Sequence, residues 1–106
     1  MYAVSVVFTI KEEYIDSFRT LIQEHAERTI EQEVGCRRFD IGFDSNDPSR
    51  VFLYELYENR EAFDLHTKAD YLADFFAKAT DWIESKEANR WDISDNEPVS
   101  AERGDA

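Results

Sequence analysis

The sequence has one cysteine, few cations and no long apolar run, and each shortage closes off a class of protein. Cys36 stands alone, so no intrachain disulfide can form, and no Cys-X-X-Cys or Cys/His cluster marks a zinc site. Lys and Arg number 12 against 24 Asp and Glu, a net charge of −12. The cations are scattered among acids, so no basic patch is available for a phosphate backbone or an anionic bilayer. Neither nucleic acid nor a membrane is therefore an expected partner. No stretch approaches the about 20 apolar residues that cross a bilayer. The apolar run Tyr2–Ile10 has no basic segment before it and no signal-type cleavage site after it, so a cytoplasmic protein is expected. There is no GxGxxG, no P-loop and no GxSxG, which leaves dinucleotide, nucleotide and serine-hydrolase chemistry without support.

What is present is enough for a core. The 106 residues are 42% hydrophobic, with two Trp, five Tyr and eight Phe. At about 100–200 residues per domain this is one domain. A monomer of this size buries only about two-thirds of its unfolded surface, so subunit association is a natural source of further stability.

Residues 2–10, YAVSVVFTI, are β-branched and aromatic and alternate loosely, which predicts a strand with both faces at least partly covered. Over residues 14–34 the period becomes helical: Ile15, Phe18, Leu21, Ile22, Ala26 and Ile30 recur at three and four. Gly35 suits the left-handed position that ends a helix. Arg37–Asp44 alternates strictly as a second strand, and Ser45–Ser49 has the composition of a turn. Val51–Tyr57 reads as a third strand, apolar on both faces except for Glu55. Two helical segments follow, Arg60–Thr67 and Tyr71–Glu84, and Asn89–Ser94 is a candidate short fourth strand. Residues 1–94 are read as the domain and 95–106 as an acidic flexible tail. The order β-α-β-β-α-β, with the second α broken in two, predicts an α+β, ferredoxin-like split βαββαβ fold with a four-stranded antiparallel sheet. Helices cover one face of such a sheet. Apolar residues on both sides of the first and third strands predict that a second subunit covers the other.

At this point the residues resemble a family. Glu33–Asp40, EVGCRRFD, resembles the "EpGC..FDv" signature of antibiotic biosynthesis monooxygenase domains. Leu53–Tyr57 followed by Glu61–His66 resembles their "lYE.Y.d..AF.aH", and Glu24-His25-Ala26 with Thr29 stands where many members have "eNA..S". The resemblance covers about residues 3–92. It implies a homodimer of the dimeric α/β-barrel type. The family includes cofactor-independent oxygenases of quinols and polyketide aromatics, haem-degrading enzymes, and isomerase-like enzymes of phosphorylated autoinducer-2. The sequence departs from the pattern at His25, where Asn is frequent, and at Tyr71, where some members carry a second His.

Three residues are candidate catalytic groups. His25, on the flank of the apolar helix face, can act as a general base near neutral pH, since imidazole titrates near pH 6.5; the alternative is a satisfied, partly buried histidine. Glu55 is a carboxylate in an apolar strand, so it must pair, meet water or hold a proton; a structural ion pair with His66, Arg37 or Arg38 is the alternative. His66, in the "AF.aH" stretch of the resemblance, could bond Glu55 and have its tautomer fixed, or simply interact with a helix end. Tyr54, Tyr57, Tyr71, Phe75 and Trp82 are candidate substrate-binding rings, because flat substrates stack on aromatics, with ordinary packing as the alternative. Glu12, Glu13, Glu31 and Glu33 read as solvated helix acids, and Cys36 as a small buried hydrophobe. Two histidines and a glutamate at 25, 55 and 66 form no metal-ligand motif, so neither a metal nor another cofactor is expected.

Three functions remain. The first is a small cofactor-independent monooxygenase of an electron-rich phenol or quinol. The second is an isomerase of a small, phosphorylated hydroxyketone, with Arg37, Arg38 or Lys68 available for the phosphate. The third is a non-catalytic dimeric ligand-binding module.

Overall fold

A computed structural model describes residues 1–94. Its elements are β1 (Tyr2–Ile10), α1 (Ile15–Gln32), β2 (Cys36–Phe43), β3 (Arg50–Tyr57), α2 (Arg60–Thr67), α3 (Asp70–Ala79) and β4 (Ile83–Asp92), with single 3₁₀ turns at Glu12–Tyr14 and Thr80–Trp82. The strands form one antiparallel sheet in the order β2-β3-β1-β4. This is the ferredoxin-like α+β arrangement expected from the element order. The acidic tail expected at 95–106 lies outside the described residues.

Alternation decides which side chains enter the core. Val4, Val6 and Phe8 of β1 stand opposite Glu55, Leu53 and Val51 of β3, and all six face the helices. Phe18 of α1 meets Phe8 edge-on at 5.2 Å and Phe75 of α3 at 5.9 Å, which ties both long helices to the sheet. The β2–β3 turn is held by Asx bonds: Asp44 Oδ1 accepts from the Asn46 amide at 2.8 Å and Asp47 Oδ1 from the Ser49 amide at 3.0 Å. Asn59 caps α2 by accepting from the Ala62 amide.

The structure departs from the sequence expectation in three places. The last helix stops at Ala79, and β4 begins at Ile83 rather than at residue 89. β4 has no apolar period because it is an edge strand, held by backbone pairing to the whole of β1. Gly35 does not adopt a left-handed conformation. Glycine is required there because an added Cβ would stand 2.7 Å from Ala62 Cβ, so the absent side chain lets α2 approach the start of β2. Finally, Glu33 is not part of the solvated row of α1. It is the first residue off the helix, with extended backbone, and its side chain is only 16% exposed.

The far face of the sheet carries Val7, Phe52, Tyr54, Leu56 and Trp91, by strand alternation. Phe52 is 43% and Trp91 52% exposed, an uncovered aromatic surface on the side away from the helices. No helix among the described residues is long and apolar enough to cross a membrane.

Candidate functional site

His25, Glu55 and His66 converge, and Glu33 joins them. His66 comes from the last turn of α2, which the close Gly35–Ala62 packing holds against the sheet. Its Nδ1 donates to Glu33 Oε2 at 2.7 Å, and its Nε2 lies 3.9 Å from Glu55 Oε1. The Tyr71 hydroxyl donates to the same Glu33 oxygen, and the Tyr57 hydroxyl donates to Glu55 Oε1 at 2.6 Å. A chain of polar groups therefore runs Tyr71–Glu33–His66–Glu55–Tyr57 through an otherwise apolar interior. Glu33 was missed because its position in the sequence continues the row of helix acids; only the break of the helix before Gly35 could have singled it out.

The electrostatics of these groups differ. Burial among Val4, Phe39 and the surrounding core pushes the Glu55 carboxyl above its ordinary range. The Tyr57 hydroxyl and His66 oppose that, Glu33 adds to it, and Lys86 opposes it weakly. A carboxyl so placed favours its protonated form. Burial likewise lowers His25 to about 4, with His66 and Arg28 adding repulsion, so its imidazole is neutral at physiological pH. Burial and the neighbouring carboxyl groups raise both Tyr57 and Tyr71, which hold their protons as hydrogen-bond donors. Cys36 is buried and its thiol is pushed up to about 11 by desolvation, which makes it a poor nucleophile.

Glu55 and His66 form the polar floor of a cavity of about 210 Å³ between α2–α3 and the β1–β4 side of the sheet. Its walls are Val4, Val6, Phe63, Leu72 and Phe76, and β4 supplies the lip. His25 lies one ring behind, 5.6 Å from His66 and 4.8 Å from Phe75, and it opens instead onto a small cleft of about 50 Å³ between α1 and α3.

The candidate aromatic residues are dispersed. Tyr57 is fully buried beneath Glu55. Tyr71 and Phe75 line the α1–α3 cleft. Tyr54 is an odd number of residues from both Glu55 and Tyr57, so alternation puts it on the far face of the sheet. Trp82 stacks on Tyr14 at 5.5 Å, ahead of β4 and off the cavity wall. The rings that do line the cavity are Phe63 and Phe76. Arg37 is bound to Glu58, and Arg38 to Asp40 at 2.6 Å, so neither serves Glu55 or the cavity.

A ferredoxin-like α+β domain with a polar-floored cavity between its helix layer and sheet is the class these features define. The family model for antibiotic biosynthesis monooxygenase matches residues 1–78, and the chain belongs to that family. A solved Nitrosomonas europaea protein, provisionally assigned to the same family, is similar at 26% identity with a TM-score of 0.82, over 88% of this chain and 98% of that one. A solved antibiotic biosynthesis monooxygenase is similar at 25% identity with a TM-score of 0.81, over 89% and 99%. A Deinococcus radiodurans protein shares the fold at 16% identity with a TM-score of 0.86, over 95% and 100%. No protein of curated function matches the chain in sequence.

Proposed function

We propose that the chain is a small monooxygenase of an electron-rich phenol or quinol, working without a redox cofactor. The observation that carries this reading is His66 on the floor of an apolar cavity, oriented from behind by Glu33 and facing Glu55. The Glu33 carboxylate accepts from Nδ1, which leaves the Nε2 lone pair as the base on the cavity side. Glu55, with its carboxyl pushed up by burial, faces the same point as a proton donor.

The reaction follows from these groups. A substrate hydroxyl gives its proton to His66 Nε2. The resulting anion passes one electron to O₂, and the walls hold the aryloxyl radical and superoxide together until a C–O bond forms. The ring-bound peroxide takes a proton from the floor. Its O–O bond then breaks as the ring C–H proton leaves, giving a quinone carbonyl and one water. One O₂ is consumed, with one oxygen atom in the product and one in water. His25, neutral and behind the floor, supports His66 by ring packing rather than by meeting substrate.

An isomerase of a phosphorylated hydroxyketone is the second reading, favoured by the 3.9 Å approach of two proton-exchanging groups, His66 and Glu55. The exposed aromatic face of the sheet supports a homodimer in which two sheets pack face to face.

The test is oxygen uptake by the purified protein with a panel of hydroquinones and hydroxynaphthalenes, beside His66→Ala. Uptake above autoxidation that survives a chelator and collapses in the variant is expected. Isomerisation of a phosphorylated hydroxyketone in the absence of oxygen, with no uptake from any quinol, would replace it with the second reading.

A further inference from the structure

The lip of the cavity is cationic in a strongly acidic protein. Lys86, Ala88 and Arg90 alternate along β4, opposite Phe8, Val6 and Val4, so all three face the helix layer and border the cavity. Lys86 Nζ stands 4.9 Å from the Phe76 ring centre and Arg90 Cζ 4.9 Å from that of Phe63. Neither is paired with a carboxylate among the described residues. Arg37, Arg38 and Arg50, by contrast, are each tied to an acid. Aromatic faces position the two cations without neutralising them, so their charge remains available to a ligand. The methyl group of Ala88 between them keeps the lip low.

The floor and lip are in register. Arg90, Val4 and Glu55 occupy one row across β4, β1 and β3. Two strand spacings, roughly 10 Å, separate the lip from the floor. A net charge of −12 would otherwise repel an anionic ligand, and a local pair of unneutralised cations reverses the field at the entrance.

We propose that the substrate is an aromatic acid. Its ring lies between Phe63 and Phe76, its hydroxyl reaches the His66–Glu55 floor, and its carboxylate rests on Lys86 and Arg90 at the lip. This rests on the cavity being the substrate site.

The test is calorimetric binding, without oxygen, of 6-hydroxy-2-naphthoate, whose hydroxyl and carboxylate lie at opposite ends of the ring system, 2-naphthol and glycerone phosphate. The expected result is at least tenfold tighter binding of the hydroxynaphthoate than of naphthol, a preference that shrinks with salt. The double variant Lys86→Gln/Arg90→Gln should bring the two within about threefold, and Lys86→Arg/Arg90→Lys should keep the preference. Equal affinity for acid and naphthol, no binding of the hydroxynaphthoate, a preference unchanged in the Gln variant, or tighter binding of glycerone phosphate would each overturn the inference. Selective binding of the acid with no oxygen uptake from any quinol supports the inference while removing the oxygenase reading.

Discussion

His66 Nδ1 and Glu33 Oε2 are 2.7 Å apart although their residues lie 33 positions apart in the chain. One leaves the end of α1 and the other closes α2, and they meet because Gly35 admits Ala62 to van der Waals range. The bond decides which ring nitrogen of His66 faces the cavity.

Glu33→Gln tests that bond. An amide can present either its oxygen or its NH₂ to Nδ1, so the tautomer is no longer fixed. The turnover number should fall about 10–100-fold, as when partners that orient an active imidazole are lost. KM should change little, because Glu33 does not line the cavity. His66→Ala should cost more, on the order of 10²–10⁴ in turnover. Steady-state kinetics on the substrate found by oxygen uptake would separate the two; an equal rise in KM for Glu33→Gln would count against a positioning role.

Glu55→Gln should stabilise the protein at neutral and alkaline pH. The folded-state pKa of Glu55 lies above its unfolded value of 4.5. Its contribution to stability is therefore complete below pH 4.5 and is lost as pH rises through the folded value. Glutamine keeps an acceptor for the Tyr57 hydroxyl and carries no charge to desolvate. Chemical denaturation at pH 8 should show the variant more stable by on the order of 1–3 kcal/mol, with the difference vanishing near pH 4. Activity should drop in the same variant, since the floor loses a proton donor.

His25 produces the opposite slope. Its pKa is lowered from 6.5 to about 4, so the unfolded chain binds the extra proton between those values. Its contribution is present above pH 6.5 and is lost as pH falls toward 4, by at most about 3 kcal/mol at 1.36 kcal/mol per unit. Repulsion from His66 and Arg28 strengthens the lowering that burial begins. Replacing His25 by Phe, among the rings of Phe39, Tyr71 and Phe75, removes the titration. The difference in unfolding free energy between wild type and His25→Phe should change across pH 6.5 to 4 and stay flat above it; a flat difference throughout would refute the assignment.

The sequence made the sheet and α1 legible because their apolar residues keep a period. β1 reads at two, and Phe18, Ile22 and Ala26 read at four. β4 was legible only from residue 89 onward, because its backbone does the pairing while Lys86, Ala88 and Arg90 face a cavity and Glu87 and Asn89 face away. No apolar rhythm survives in such a strand. The same reason hid the cationic lip. Glu55 and His66 were legible as polar residues in apolar surroundings, whereas Glu33 sat among acids that are solvated. Tyr54 could have been removed from the candidate site by parity alone, since Glu55 points the other way.

The outward sheet face yields the last prediction. Phe52 on β3 and Trp91 on β4 are large, about half exposed, and flank Val7 and Leu56 on a surface that no helix covers. Burying such rings against a second sheet stabilises by roughly 25 cal/mol per Å² of apolar area removed from water. Sedimentation equilibrium should therefore give twice the monomer mass of 12.5 kDa. Phe52→Asp introduces one carboxylate per subunit into that contact, and in a chain already at −12 the two copies repel as well as lose apolar burial. The variant should be monomeric at micromolar concentration. Phe52 points away from the cavity, so binding of 6-hydroxy-2-naphthoate should survive in the monomer if each subunit holds a complete site. Loss of binding together with the dimer would mean that the second copy shapes the cavity. A wild type that sediments at 12.5 kDa would refute the sheet-to-sheet dimer outright.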